Sequence, residues 1–530
     1  MNSAVTPSTA VPPHRPCVDL ERQSEGLDDA AVHRFILGSD ERPHKLSQQE
    51  ATQQLGDRFA QLVLLRGVFP SNAGEVLAAI EQAVSPDDPL RVREFFLVGE
   101  GTQIAPIPGV SVKRNLRFLA TVGRGPGGPD IVFSAFHPEH GTVELIAWDL
   151  AVGGFNFYRT VGASNAWVFA GNSRHALTSP TRDNGPFESH KNGHFLMKEL
   201  RLPWVNWDST TARAVPSIFA EEDLLGHPWV ANLAPGGAYT LEKDVAVPAI
   251  RRWTETRLEA LVSGNSEETP RRLLEQVLTT STVNLASSNT SSVVAAIGKV
   301  EKVDLPESFF VDSAALSGIL GLVPPPRPFV PSSVYAESLR TFEVRLTDED
   351  QFRRPGDTHF AFVVPERAFE DADTLREAIE RGILSRRLAA CLLMVDFPNP
   401  IFSQKRQRLL EHVPDDAFRQ GEAFSQSISD AIRASAAATQ PGTPEHEFTQ
   451  LWDAGEDFKA PFDALLQGYY TAFTERLATQ EGFDDYMRLA ESRRNHVREM
   501  PITESPMLFA RTNIPSRERT MLADGTVEEA

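Results

Sequence analysis

Two histidines four residues apart, His190 and His194, are the side chains in this sequence best suited to bind a metal ion. They lie in the stretch FESHKNGHFLMKELRLPWVNW, residues 187–207. Imidazole nitrogen binds iron, copper, zinc and nickel, and two histidines with one carboxylate leave open positions on non-haem iron. We therefore predict a metal site made by His190, His194 and Glu199, with His175 as a further ligand. Iron is favoured over copper or zinc.

A structural interpretation competes with this prediction, because loop histidines often cap helices or donate to backbone carbonyls. The spacing differs from the HExxH pattern, in which a glutamate between the two ligands acts as general base. Glu188 or Asp208 could replace Glu199 as the carboxylate ligand. A haem bound through histidine alone is also compatible with the sequence.

Rare residues concentrate around this stretch, which indicates where a site lies. Six of the 13 histidines fall between positions 137 and 227, and so do five of the seven tryptophans. The members are His137, His140, His175, His190, His194, His227, Trp148, Trp167, Trp204, Trp207 and Trp229. Trp148 and Trp167 lie within β-rich runs, so we assign them to the core.

Aromatic side chains of the same stretch could form a pocket for a small organic substrate. Phe187, Trp204 and Trp207 are the predicted apolar walls, although such residues also fill cores.

Cationic side chains near the stretch could bind an anionic substrate. Arg174 is predicted to bind a substrate carboxylate or phosphate, and Arg182 and Lys198 are the predicted catalytic cations. Ordinary ion pairs are the alternative for each arginine.

Sequence motifs for other chemistries are absent. There is no G-x-S-x-G nucleophile elbow, no Walker A loop and no CxxCH haem-attachment motif. Of the two cysteines, Cys17 lies in a predicted tail and Cys391 in an apolar run. We predict a metal-dependent oxidoreductase acting on a small organic substrate. The alternative is a non-catalytic protein that binds a ligand or partner through the same aromatic loop.

Charge and composition limit the partners. The formal net charge is −20 and no basic tract offsets it, which argues against nucleic-acid and membrane partners. The sequence begins without a secretory signal pattern, and its two cysteines indicate a reducing compartment. We therefore predict a cytoplasmic protein.

Short β-rich runs between 92 and 171 predict an antiparallel β-meander, because glycine or proline separates the runs. Residues 123–128 match a dinucleotide-binding fingerprint, but a strand follows them, so we interpret them as a hairpin loop. Helical patterns lie on both sides of the meander. The predicted fold class is α+β, an antiparallel meander with flanking helices and a mostly helical C-terminal half.

Domain boundaries follow from composition. Residues 1–45 are predicted to be a mobile tail, 46–322 the meander domain, 323–333 a proline-rich connector and 334–530 a mostly helical domain. The C-terminal helices carry no recognisable site, and we interpret them as scaffold or as a homo-oligomer interface.

Overall fold

The computed structural model describes residues 24–99, 116–163, 165–195, 224, 226–266, 268–279, 283–286, 300–347, 353–355, 364–414, 422–499 and 510–530. Within these residues the chain has an α+β fold, as predicted from the sequence.

An eight-stranded sheet organises the N-terminal part. Its strands are β1 (Val32–Arg34), β2 (His44–Lys45), β3 (Arg93–Gly99), β4 (Leu116–Val122), β5 (Ile131–Ala135), β6 (Val143–Asp149), β7 (Gly154–Val161) and β8 (Ala166–Asn172). Their spatial order is β2-β1-β8-β7-β6-β5-β4-β3. Strands β3 to β8 form the predicted antiparallel meander. The loop at 123–130 joins two of these antiparallel strands, which confirms the hairpin interpretation.

The sheet is mixed rather than purely antiparallel. Strand β1 pairs in parallel with β8, so that Val32 lies opposite Trp167. Strands β1 and β2 both lie within residues 1–45, for which the sequence predicted a tail. Short strands of two or three residues carry too little periodic pattern to be recognised.

Alternate side chains along each strand point to opposite faces of the sheet, and a hydrophobic cluster packs on each face. Tyr158 and Trp167 pack on one face against helices α1 (Gln48–Gln54), α2 (Arg58–Leu62) and α3 (Ala73–Ala83). Trp148, Phe155 and Phe157 pack on the other face, in a cluster with Trp253. The tryptophans of β6 and β8, 5% and 0% exposed, are core residues as expected.

A buried carboxylate joins the first helices to the sheet. Asp57 caps α2 by accepting from the backbone N–H of Ala60 at 2.9 Å. Its other oxygen accepts from the side-chain amide of Asn156 at 2.8 Å and from the hydroxyl of Tyr158. These bonds fix α2 on strand β7.

A long helix crosses the second face of the sheet. It consists of α5 (Ala238–Thr240), a π-helical turn (Leu241–Ala246) and α6 (Val247–Val262). Pro248 has no backbone N–H, so the hydrogen-bond pattern changes at this position. The short helix α4 (Pro228–Ala231) precedes it, and α7 (Pro270–Thr279) follows.

The C-terminal half is mostly helical, as predicted. Its helices are α8 (Ser332–Thr341), α9 (Phe369–Glu380), α10 (Arg386–Met394), α11 (Gln404–Arg408), α12 (Glu422–Ala434), α13 (Pro444–Trp452), α14 (Lys459–Leu477) and α15 (Gln480–Glu499). Short strands complete it, namely β9 (Val283–Ala286), β10 (Lys302–Asp304), β11 (Phe329–Pro331), β12 (Arg345–Thr347), β13 (Arg353–Pro355), β14 (Val364–Arg367), β15 (Ala510–Arg511), β16 (Arg519–Met521) and β17 (Val527–Glu529). They form small sheets of two or three strands.

The largest hydrophobic cluster belongs to this half. It runs from Leu258 to Met521 and has members on both sides of the proline-rich segment 323–333. Part of that segment, β11, pairs with β10, and the opposed residues Val303 and Val330 are fully buried members of this cluster.

Candidate functional site

The two histidines predicted to be metal ligands lie on a tight turn rather than on a helix face. Asn192 and Gly193 have left-handed backbone, with φ of 55° and 73°. The Nδ1–H of His190 donates to the carbonyl oxygen of His194 at 2.9 Å. The backbone of His194 is extended, and residues 196–223 lie outside the described residues.

Contacts with neighbouring elements hold this turn in place. The hydroxyl of Ser173 donates to the carbonyl of Gly193 at 2.8 Å, and a Cβ on Gly193 would lie 2.4 Å from the carbonyl oxygen of Ser173. On the other side, the indole N–H of Trp253 donates to the carbonyl of Asn192 at 2.8 Å. Glycine is therefore required at 193 both for its φ and for the close approach.

The ring of His194 is fully buried and faces Gln276. The amide oxygen of Gln276 accepts from Nη1 of Arg257 at 2.7 Å, which fixes its amide nitrogen as a donor. That nitrogen donates to Asp371 at 2.8 Å and faces Nε2 of His194 at 3.4 Å. Nε2 must then be an acceptor, so Nδ1 carries the proton. This buried Nδ1–H finds no acceptor among the described residues.

Burial keeps His194 neutral. It lowers the pKa of His194 well below 6.5, and the electrostatic effects of Arg257 and His190 lower it further. Arg257 is itself buried and forms a bidentate ion pair with Glu268, whose Oε2 accepts from Nε at 2.8 Å. In a buried pair of this kind, the negative charge of the glutamate offsets the positive charge of the arginine. The imidazole is therefore uncharged at neutral pH.

Three other predicted site residues contact protein groups. Nδ1 of His175 accepts from the backbone N–H of Asn172 at 3.1 Å and so caps the turn after β8. Arg174 donates through Nε to the carbonyl of Val152 at 2.8 Å. Phe187 is 1% exposed and packs edge-on against Phe157, so it is part of the sheet core.

The remaining predicted site residues, Lys198, Glu199, Trp204 and Trp207, lie outside the described residues, as does the alternative ligand Asp208. In the part of the chain that the structure describes, no group of three or more His, Cys, Asp or Glu side chains is arranged to hold a metal ion. The metal site and the aromatic pocket therefore stay predictions.

Arg182 lines a polar cleft of about 830 Å³. Helix α7 contributes Arg271 and Arg272 to this cleft, and Arg408 comes from the end of α11. The lining also contains the carboxylates Glu275 and Glu411. Four arginines against two glutamates give the lining a net positive charge, although the chain as a whole is strongly acidic.

Arg272 connects this cleft to the histidine turn. Its Nη1 donates to Glu275 at 2.7 Å, and its Nη2 donates to the side-chain oxygen of Asn192 at 2.7 Å. The Nε–H of Arg272 and the side-chain amide N–H groups of Asn192 are buried and find no acceptor in the described ranges. Two groups of unsatisfied donors therefore lie where the cleft meets the turn.

Sequence reasoning missed the arginines of α7, although a signal was present. Arg271 and Arg272 directly follow Pro270, the first residue of α7, so both cations lie in the first helical turn. Positive charge at a helix N-terminus opposes the helix dipole. Such a mismatch indicates that the arginines serve something other than helix stability.

A second group of histidines lies at the turn between β5 and β6. The rings of His137 and His140 stack at 3.7 Å, and Nε2 of His227 donates to Glu139 at 3.1 Å. His140 and Glu139 are exposed, whereas His137 is buried.

Among the described residues, none of the helices combines the length and the apolar character needed to span a membrane. Comparison of the chain with protein-family models, with curated proteins and with solved structures found no match.

Proposed function

We propose that this protein binds a small anionic organic molecule, bearing a carboxylate or a phosphate, in the cleft lined by Arg182, Arg271, Arg272 and Arg408. The observation that carries the proposal is the net positive lining of this cleft on a chain of formal charge −20. A positively charged cleft on a protein of net negative charge attracts anions to that position.

The arginines are suited to this role because guanidinium groups donate two parallel hydrogen bonds to a carboxylate or phosphate. The side chains of Arg182 and Arg408 are 34% and 50% exposed, so a ligand can reach their N–H groups. Each already contacts one carboxylate, Asp183 or Glu445, which holds the side chain without using all five donors.

A metal-dependent oxidoreductase is the second hypothesis, and it rests on the proximity of His190 and His194. For His194 to bind a metal, either its Nε2 must leave the amide of Gln276 or its Nδ1 must lose its proton. Metal analysis of purified protein tests this hypothesis directly. Bound iron that is lost in His190→Ala and His194→Ala variants with native far-ultraviolet spectra would support it.

The binding proposal is tested by calorimetric titration with inorganic phosphate, citrate and the neutral sugar glucose, at constant ionic strength. We expect one of the two anions to bind and glucose to give no heat. Arg272→Gln and Arg408→Gln should each weaken that binding about tenfold or more, since a charge-assisted hydrogen bond contributes about 1.5–3 kcal/mol.

Arg340→Gln is the matched control, because Arg340 forms an exposed ion pair with Glu337 outside the cleft lining. It should bind anions as the wild type does. If Arg340→Gln weakened anion binding equally, the effect would come from the net charge of the protein and not from the cleft. The absence of binding by either anion would overturn the proposal.

A further inference from the structure

Arg367, at the end of strand β14, is a buried cation with unused donors. Its side chain is 1% exposed, and its Nε–H donates to Asp312 at 2.6 Å. Both terminal nitrogens, Nη1 and Nη2, are buried and find no acceptor among the described residues. Among the described residues, the four N–H bonds of these two nitrogens therefore lack an acceptor, and a buried donor without an acceptor is costly even when the charge is paired.

Two further buried arginines lie in the same region, and their hydrogen bonds within the described residues go to uncharged oxygens. Arg406 donates to backbone carbonyls of residues 395–400. Arg493 donates to the carbonyls of Phe309 and Pro398 and to the side-chain oxygen of Asn399. Neither guanidinium group contacts a carboxylate of the described chain.

The charges of Arg367 and Arg406 affect one another. Burial lowers the pKa of Arg406 to about 10, and the positive charge of Arg367 contributes to the decrease. The charges of Asp396, Asp312 and Glu447 act in the opposite direction. The carboxylate of Asp396 accepts from Asn399 and Ser403, and that of Asp312 accepts from Nε of Arg367.

We propose that the Nη groups of Arg367 bind a small monovalent inorganic anion of the size of chloride. An anion can accept from several N–H groups at once and offsets the positive charge. A water molecule has two lone pairs and no net charge. All four residues of β14 are buried, which favours a small ion over an organic anion.

Halide-dependent stability tests this inference on the full-length chain. Thermal unfolding is measured in sodium chloride, sodium bromide and sodium gluconate at equal ionic strength. Because an ion that binds only the folded state stabilises it, the midpoint should rise with chloride or bromide concentration, by roughly 2 °C or more over gluconate. An internal water would make the midpoint independent of the anion.

Two variants assign the effect to this site. Arg367→Met keeps the length of the side chain but removes its donors, so the halide dependence should disappear. Arg494→Met is the matched control, because Arg494 is equally buried and its guanidinium binds Glu491. This control should be destabilised but should keep the halide dependence. Arg272→Gln should keep it as well, which separates this site from the cleft.

A crystallographic readout covers the case in which Arg367→Met does not fold. Crystals of the wild-type protein soaked in bromide should show an anomalous difference peak within hydrogen-bond distance of Nη1 or Nη2 of Arg367. A midpoint that is the same in chloride and gluconate, or bromide peaks confined to the surface, would overturn the inference.

Discussion

Gln276 and His194 face each other nitrogen to nitrogen, 3.4 Å apart, and this contact fixes which nitrogen of the imidazole carries the proton. Since Arg257 and Asp371 hold the amide nitrogen of Gln276 as a donor, a protonated imidazole would place its Nε2–H against that donor inside the core. Protonation of His194 therefore opposes folding.

The first prediction is a loss of stability in mild acid that depends on His194. Its pKa is well below 6.5 in the folded chain and ordinary in the unfolded chain. Below about pH 6.5 the unfolded state therefore binds more protons, and the free energy of unfolding falls by up to about 1.4 kcal/mol per pH unit. When urea unfolding is measured between pH 7.5 and 5.5, the slope of the free energy of unfolding against pH should be smaller in His194→Gln than in the wild type. His44→Gln is the control, because His44 is exposed, and it should keep the wild-type slope.

The second prediction concerns the glycine of the histidine turn. Gly193 and Gly264 have the same φ of +73°, but a Cβ on Gly193 would meet Ser173, whereas a Cβ on Gly264 meets nothing within 4 Å. Gly264→Ala should cost about 1–2 kcal/mol, the cost of left-handed backbone alone. Gly193→Ala should cost clearly more, because the turn must also move away from Ser173. Equal costs in chemical denaturation would contradict the close packing of this turn.

The third prediction concerns the hydrogen bond from the hydroxyl of Tyr158 to Asp57, the N-cap residue of α2. Tyr158→Phe removes a donor from the buried carboxylate of Asp57, which should lower the free energy of unfolding by about 1–3 kcal/mol. Tyr239→Phe removes a hydroxyl from a side chain that is 68% exposed, so it should change stability by less than about 0.5 kcal/mol. Similar midpoints for the two variants would count against the bond between Tyr158 and Asp57.

The fourth prediction concerns the thiol of Cys391. Burial raises its pKa to about 12, so almost no thiolate exists at pH 8. Labelling by an alkylating reagent at pH 8 should therefore be slow and should accelerate when urea is added. The Cys391→Ser variant retains only Cys17, so its labelling rate gives the background to subtract. Rapid labelling of Cys391 in native buffer would contradict its buried position in α10.

Periodicity made most of the fold predictable. Each β-rich run between 92 and 171 became a strand, and the half predicted to be mostly helical contains the eight helices α8 to α15 among its described residues. Strand β1 could not be foreseen, because its partner β8 is distant in sequence and the run is three residues long. Helix α8 was also missed, since the preceding prolines suggested an extended connector.

The site was less predictable than the fold, because burial decides what a polar side chain does. His175 and Phe187 were identified by type, but local contacts give them capping and packing roles. Gln276 belongs to no recognisable sequence motif. It is buried together with the apolar residues Leu273 and Val277 of α7. A polar residue on the apolar side of a helix was the one signal that could have indicated the buried network around His194.

The parallel pairing of β1 with β8 has a consequence for how the chain folds during synthesis. Val32 leaves the ribosome long before Trp167, its partner in the sheet. At 5–20 residues per second, the N-terminal strand waits on the order of 10 s for a partner, with its backbone groups unpaired. This edge of the sheet can therefore close only after the meander has emerged, and factors that bind nascent chains would meet β1 in its exposed state.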